Sequence, residues 1–137
     1  MTINDLLIRH EGLRLKPYKD IVGKMTIGVG RNLDDVGVSK GEALYLLNND
    51  IERVSGDLDS KMPWWRSMSV ARQFVFQDMC FNLGLQGFLG FTTFLELCRI
   101  GHYDAAAVAG LDSRWAQQVG VRATQMMTLL KTGSWEV

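Results

Sequence analysis

The stretch that decides the fold lies near the start of the chain and reads EGLRLKPYKD at residues 11–20 and GKMTIGVG at residues 23–30. Ahead of it, apolar residues recur at helical spacing, which predicts an amphipathic helix over residues 3–11. Thr2 suits the N-cap of this helix, and Gly12 suits its C-terminal end. The stretch therefore begins at a helix terminus, and its first residue carries a carboxyl group.

Inside the stretch the hydrophobic period changes from helical to alternating. Residues 13–16 and 24–29 alternate, Pro17 excludes a helix, and residues 20–23 have the composition of a turn. These features predict a small antiparallel hairpin, and they leave residues 31–38 as either a loop or a short third strand.

The remainder of the chain has helical patterns. Ser39, followed three residues later by Glu42, forms a capping box and opens a long helix that Pro63 ends. The apolar stripe of this helix comprises Ala43, Leu44, Leu47, Ile51, Val54 and Leu58. Later helices are predicted over residues 70–83, 92–99, 103–110 and 120–131.

Together these elements predict an α+β fold, mainly α, in a single domain over residues 1–137. A small β-containing lobe would comprise residues 13–38, and a larger helical lobe would comprise 1–12 and 60–137. The helix over residues 39–60 would connect them, and a groove between two such lobes is a natural ligand site.

The composition excludes several classes of protein. A formal net charge of zero gives no indication of nucleic-acid binding. The N-terminal residues are too charged for a signal peptide, and no apolar run reaches the ~18–20 residues of a membrane span. Cys80 and Cys98 are expected to be reduced thiols in a helical core, with a single disulfide as the alternative. His10 and His102 lie in no ligand-like cluster, so neither a metal nor a cofactor is expected.

Two carboxyl groups could carry chemistry. Glycoside hydrolysis needs one carboxyl group that protonates the leaving oxygen and a second that handles water or the forming oxocarbenium ion. Glu11 ends the first helix, and Asp20 stands in the hairpin turn nine residues later. By spacing alone, a solvated glutamate at a helix end and a turn-capping aspartate explain these positions better than a catalytic pair does.

The surrounding residues add a specific pattern, since the stretch contains E-G-x-x-x-x-x-Y-x-D followed by G-x-x-T-I-G-x-G. Later segments add Phe-Asn-Leu-Gly at 81–84, Gly-Phe-Thr at 90–92, Ser-Arg-Trp at 113–115 and Thr-Gly-Ser-Trp at 132–135. In this order the chain resembles the phage-type lysozymes, glycoside hydrolase family 24, which include the T-even phage lysozyme and other endolysins. The resemblance spans nearly the whole chain and implies a two-lobed lysozyme-like fold.

The resemblance implies a role for each catalytic residue. Glu11 would be the general acid, and partial burial against the lobe interface would help it to hold a proton near neutral pH. Asp20 would stay ionised and position water, and the hydroxyl of Thr26 would help to hold that water. Inversion of configuration is then expected, which requires carboxyl groups roughly 6.5–9.5 Å apart.

Other residues receive supporting roles or remain open. Arg122 matches a family arginine that hydrogen-bonds the catalytic glutamate. Gly30 is a candidate for substrate contact, while Phe81 either lines the cleft or belongs to the core. Asn82 is expected to hydrogen-bond the indole of Trp115. The pair Trp64–Trp65 lies outside the matched motifs and is expected to serve packing or a surface patch.

Two departures from the family pattern are visible. Arg31 stands where the family usually has histidine, at a position that is mainly structural and paired with an acid. Between Gly30 and Ser39 the chain is shorter than the T-even phage lysozyme, which predicts a shortened lower lobe and a smaller, more open cleft floor.

The function implied is a muramidase that cleaves the β-1,4 bond between N-acetylmuramic acid and N-acetylglucosamine in peptidoglycan. Such an endolysin would be made in the host cytoplasm, would act as a monomer, and would reach the wall once a holin-type partner opens the membrane. A lysozyme-like domain that binds murein or a partner without cutting it is the alternative, and a lytic transglycosylase is a third. The intact set Glu11, Asp20 and Thr26 favours the muramidase.

Overall fold

The computed structural model describes residues 1–135 and shows a mainly helical α+β chain with one small sheet, as the sequence predicts. Helix α1 (Ile3–Glu11) precedes strands β1 (Arg14–Lys19), β2 (Met25–Gly28) and β3 (Arg31–Asn32). Six further helices follow: α2 (Lys40–Lys61), α3 (Val70–Leu89), α4 (Thr92–Arg99), α5 (Tyr103–Leu111), α6 (Arg114–Val119) and α7 (Val121–Thr132). A 3-10 helix (Pro63–Ser67) lies between α2 and α3.

The chain divides into two compact units, Met1–Leu46 and Leu47–Val137, called here the N-terminal unit and the helical unit. The division into lobes that the sequence predicts, with residues 1–12 in the helical lobe, stays a prediction. Among the described residues, no helix combines the length and the apolarity needed to cross a bilayer.

Polar contacts order the N-terminal unit. Thr2 and Asp5 form a reciprocal capping box at the start of α1, and the positive φ of Gly12 ends that helix, which confirms the predicted bounds. The three strands are antiparallel in the order β1-β2-β3. Pro17 does not end β1, because β1 is an edge strand, where a missing N–H costs no ladder hydrogen bond.

An aromatic core fills the helical unit. Phe76 is fully buried on α3 and packs edge-on against Phe88 and Trp64, at centroid distances of 5.1 and 5.6 Å. Trp65 is also fully buried, and its indole N–H donates to Asp59 at 2.7 Å. The prediction that Trp64 and Trp65 serve packing is confirmed.

A polar contact joins α6 to α3. The indole N–H of Trp115 donates to the side-chain oxygen of Asn82 at 3.2 Å, as predicted. Both cysteines are buried and unpaired, and burial raises the pKa of the Cys98 thiol to about 12. The expectation of two reduced thiols in a helical core is confirmed.

One helix is longer than predicted, and two short elements are additional. The helix expected over residues 70–83 extends to Leu89, although Gly84 breaks its dihedral pattern with φ 76° and ψ 161°. The 3-10 helix after Met62 and the short α6 were not predicted. Both are brief segments whose apolar residues, Trp65 and Trp115, are fixed by burial rather than by a helical repeat.

Candidate active site

Glu11 is the last residue of α1, and its side chain lies against the turn between β2 and β3. A Cβ atom added to Gly30 would stand 3.0 Å from Oε2 of Glu11 and 3.2 Å from its Cδ. Gly30 also has φ 66°, a conformation that glycine adopts without strain. The structure therefore shows both a bend of the backbone and a close approach of Glu11 at Gly30.

Asp20 follows β1 and organises the hairpin turn. Its Oδ1 accepts the backbone N–H of Val22 at 3.0 Å and that of Lys24 at 2.9 Å, and the main chain closes the turn through Gly23 N–H to Asp20 O. Such a side-chain turn is a known role of aspartate. Because both bonds use Oδ1, the second oxygen is the one that can meet water or substrate.

Thr26 lies at the centre of the sheet with 3% of its surface exposed. It pairs with Tyr18 on β1 and with Asn32 on β3, so these three side chains share one face. The Thr26 hydroxyl donates to the backbone oxygen of Lys24 at 2.9 Å. That arrangement leaves the lone pairs of the hydroxyl to accept a hydrogen bond.

The carbonyl of Lys24 links the two predicted water-side residues. It accepts the backbone N–H of Asp20 and the hydroxyl of Thr26, each at 2.9 Å. Asp20 and Thr26 are therefore positioned by a single peptide oxygen, and the N-terminal unit brings both into one local network.

Arg31 has the structural role that its position implies. Its guanidinium binds Glu42 through Nη1 at 3.0 Å and Nη2 at 2.8 Å, and Nη1 also donates to the oxygen of Gly37. Glu42 in turn accepts the N–H of Ser39, which completes the predicted capping box of α2. Arg31 and Ser39 hold the pKa of Glu42 down at about 2.

Arg122 belongs to the helical unit, where it forms a bidentate ion pair with Asp78 on α3. Nη2 lies 2.7 Å from Oδ1 and Nε lies 3.2 Å from Oδ2. The bond to Asp78 raises the pKa of Arg122. The predicted role of Arg122 toward Glu11 stays a prediction, while its partner Asp78 was missed because 44 residues separate the two.

Phe81 is not a core residue, since 46% of its surface is exposed. It lines a groove of the helical unit with Phe74, Asp78 and Arg122. Substrate contact by Phe81 or by Gly30 stays a prediction. No group of three His, Cys, Asp or Glu side chains gathers as a metal site anywhere in residues 1–135.

Comparison with known proteins places the sequence in a family. The sequence profile of the phage lysozymes matches residues 8–132. The chain belongs to the phage lysozyme family. It is accordingly a lysozyme-type glycosidase, a hydrolase of murein.

Individual relatives agree with this assignment. The Pre-baseplate central spike protein Gp5 of Enterobacteria phage T4 is 29% identical over 99% of this chain, which spans 28% of that protein's length. The Endolysin of Acyrthosiphon pisum secondary endosymbiont phage 1 is 29% identical, with 92% of this chain and 86% of the endolysin covered. The Probable T4-type lysozyme 1 of Dictyostelium discoideum is 23% identical over 97% of this chain and 95% of its own length.

Proposed function

We propose that this lysozyme hydrolyses the β-1,4 bond between N-acetylmuramic acid and N-acetylglucosamine with inversion of configuration. Glu11 is the general acid, and Asp20 with Thr26 handles the attacking water. The observation that carries the proposal is the shared hydrogen bonding of Asp20 and Thr26 to the oxygen of Lys24. It holds the backbone of Asp20 and the hydroxyl of Thr26 at one peptide oxygen, and we expect Oδ2 of Asp20 and a lone pair of the Thr26 hydroxyl to bind the attacking water.

The chemistry follows from these groups. Glu11 donates its proton to the glycosidic oxygen as the bond to the anomeric carbon breaks. Water attacks the anomeric carbon from the opposite side, and Asp20 accepts the proton that this water loses. The product sugar is inverted, and one further proton exchange with solvent restores both carboxyl groups.

Supporting roles complete the proposal. Support of the acid by Arg122, and glycan contacts at Gly30 and at Phe81, belong to the proposal as expectations from the family resemblance. The reaction uses no metal and no cofactor, because the two carboxyl groups supply the acid and the base.

The biological role proposed is that of a host-lysis endolysin. The protein is made in the host cytoplasm, acts as a monomer on peptidoglycan, and depends on a holin-type partner for release to the wall. The likeness to the Endolysin of the pea-aphid endosymbiont phage, which covers most of both chains, supports this role.

The test uses purified murein and three proteins: wild type, Glu11→Gln and Asp20→Ala. Wild type should release reducing ends, and both variants should lose about 10²-fold or more in rate while remaining folded, since each removes a proton-transfer group. The initial product anomer, followed by NMR, should be inverted. Equal activity of Glu11→Gln and wild type would remove Glu11 from the mechanism, and an inactive wild type would favour a binding domain.

A further inference from the structure

The peptide group between Lys24 and Met25 is hydrogen-bonded at both of its ends. Its oxygen accepts from the Asp20 N–H and from the Thr26 hydroxyl, both at 2.9 Å. Its N–H, which belongs to Met25, donates to Oδ2 of Asp34 at 2.8 Å. A carboxylate outside the proposed catalytic set therefore binds the peptide group that joins two members of the set.

We propose that Asp34 is a positioning residue for Asp20 and Thr26, acting through the Lys24–Met25 peptide group. The inference rests on the roles proposed above for those two residues. Asp34 touches neither substrate nor water in this mechanism. It determines where the peptide oxygen points and how strongly that oxygen accepts.

The first argument is geometric. A peptide group is planar, so fixing the direction of its N–H also fixes the opposite direction of its C=O. The Asp34 contact therefore orients the Lys24 oxygen to which the Asp20 backbone and the Thr26 hydroxyl are bound. Without it, a tilt of the plane would displace the backbone of Asp20 and the hydroxyl of Thr26.

The second argument is electronic. A hydrogen bond from an N–H to a carboxylate is stronger than one between neutral groups. It also polarises the peptide, so that the oxygen at the other end accepts more strongly, since chains of hydrogen bonds reinforce one another. Both hydrogen bonds at the Lys24 oxygen, from the Asp20 N–H and from the Thr26 hydroxyl, are strengthened by this polarisation.

The turn that carries Asp34 is itself held firmly in place. The Leu33 N–H donates to the Met25 oxygen at 2.7 Å, immediately before Asp34. Immediately after it, the Asp35 N–H and carboxylate both bind the side chain of Asn32. The backbone on both sides of Asp34 is therefore fixed, and the short segment after β3 serves to position the Asp34 carboxylate.

The neighbouring Asp35 offers a matched control. It belongs to the same turn and pairs with Lys24 Nζ at 3.1 Å, but it does not bind the peptide group. That ion pair is solvent-exposed on both sides, and such pairs contribute little. Removal of Asp35 changes the charge by the same amount and leaves the Asp34 contact in place.

The experiment measures kcat and the apparent KM on murein for Asp34→Ala, Asp34→Asn and Asp35→Ala. Asp34→Ala should lower kcat about tenfold or more and leave KM nearly unchanged, because small misplacements of reacting groups cost up to 10²-fold. Asp34→Asn keeps an acceptor oxygen and should recover most of kcat, while Asp35→Ala should stay close to wild type. If Asp34→Ala does not fold, Asp34→Ser replaces it, because serine suits turns but its hydroxyl is too short to reach.

Amide NMR supplies a readout at the peptide itself. The Met25 amide proton should shift upfield and exchange faster in Asp34→Ala than in Asp35→Ala. Equal kcat values for these two variants would overturn the inference, and so would a loss of activity in Asp34→Ala that is fully explained by a smaller folded fraction. Full activity of Asp20→Ala would instead overturn the proposed function, so the two failures are distinguishable.

Discussion

Different kinds of contact stabilise the interior of each of the two units of this enzyme. In the N-terminal unit the defining contacts are hydrogen bonds between side chains and the backbone, as at Asp20, Thr26 and Asp34. In the helical unit the defining contacts are apolar, centred on fully buried residues such as Phe76 and Leu130. The difference teaches that the catalytic residues are positioned by directional bonds, whereas bulk stability is concentrated where apolar surface is buried.

The largest stability effect is expected in the core of the helical unit. Leu130→Ala should lower the free energy of unfolding by about 2–5 kcal/mol, because it opens a cavity among buried neighbours. Urea unfolding measures the change, and the activity of each folded molecule should be unaffected. Leu111→Ala, at a leucine with 47% of its surface exposed, is the matched control and should cost less than about 1 kcal/mol. Similar losses at both leucines would show that burial of apolar surface does not determine the stability of the helical unit.

A smaller stability effect with a large catalytic effect is expected at Gly30. Gly30→Ala should cost about 1–2 kcal/mol for its positive φ, and its new Cβ should displace the Glu11 carboxyl and lower the rate about tenfold or more. Gly28→Ala is the control, since Gly28 has φ 71° but an added Cβ there meets nothing within 4 Å. Both variants should unfold alike in thermal melts, and only Gly30→Ala should lose activity. Equal loss of rate would show that backbone strain, and not contact with Glu11, limits the reaction.

The smallest effect is a pH dependence at the start of α2. The folded-state pKa of Glu42 is about 2, below its usual value of 4.5, so its pairing stabilises the fold above that usual value. The stabilisation should be lost as the pH falls from about 4.5 toward 2. Thermal melts of wild type and Glu42→Gln should therefore differ at pH 6 and converge on acidification. A difference that persists unchanged at pH 2 would assign the stability to packing instead.

The sequence predicts the parts of the fold that have local causes. Thr2 and Gly12 bound α1, and Ser39 with Glu42 opens α2, because capping bonds join residues only a few positions apart. Pro17 was correctly excluded from a helix, and only its edge position in the sheet explains why β1 continues through it. The short α6 is capped by Ser113 and ends at Gly120, but its six residues are too few to show a hydrophobic repeat.

The candidate site also contains residues that the sequence identifies and residues that only the structure reveals. Glu11, Asp20 and Thr26 were selected through a family pattern, and the structure adds how the backbone holds the latter two. Asp34 left no trace in the sequence because its partner is a main-chain N–H, which every residue except proline offers. Asp78 was equally invisible, since its pairing with Arg122 joins two helices distant in the chain.

The buried thiols of the helical unit have one further consequence. With the pKa of Cys98 raised to about 12 and that of Cys80 raised by the same burial, almost no thiolate forms at neutral pH in the folded protein. Attack by oxidants and alkylating reagents must then await an opening of the aromatic core. The rate at which the two cysteines are labelled therefore reports how often the helical unit opens.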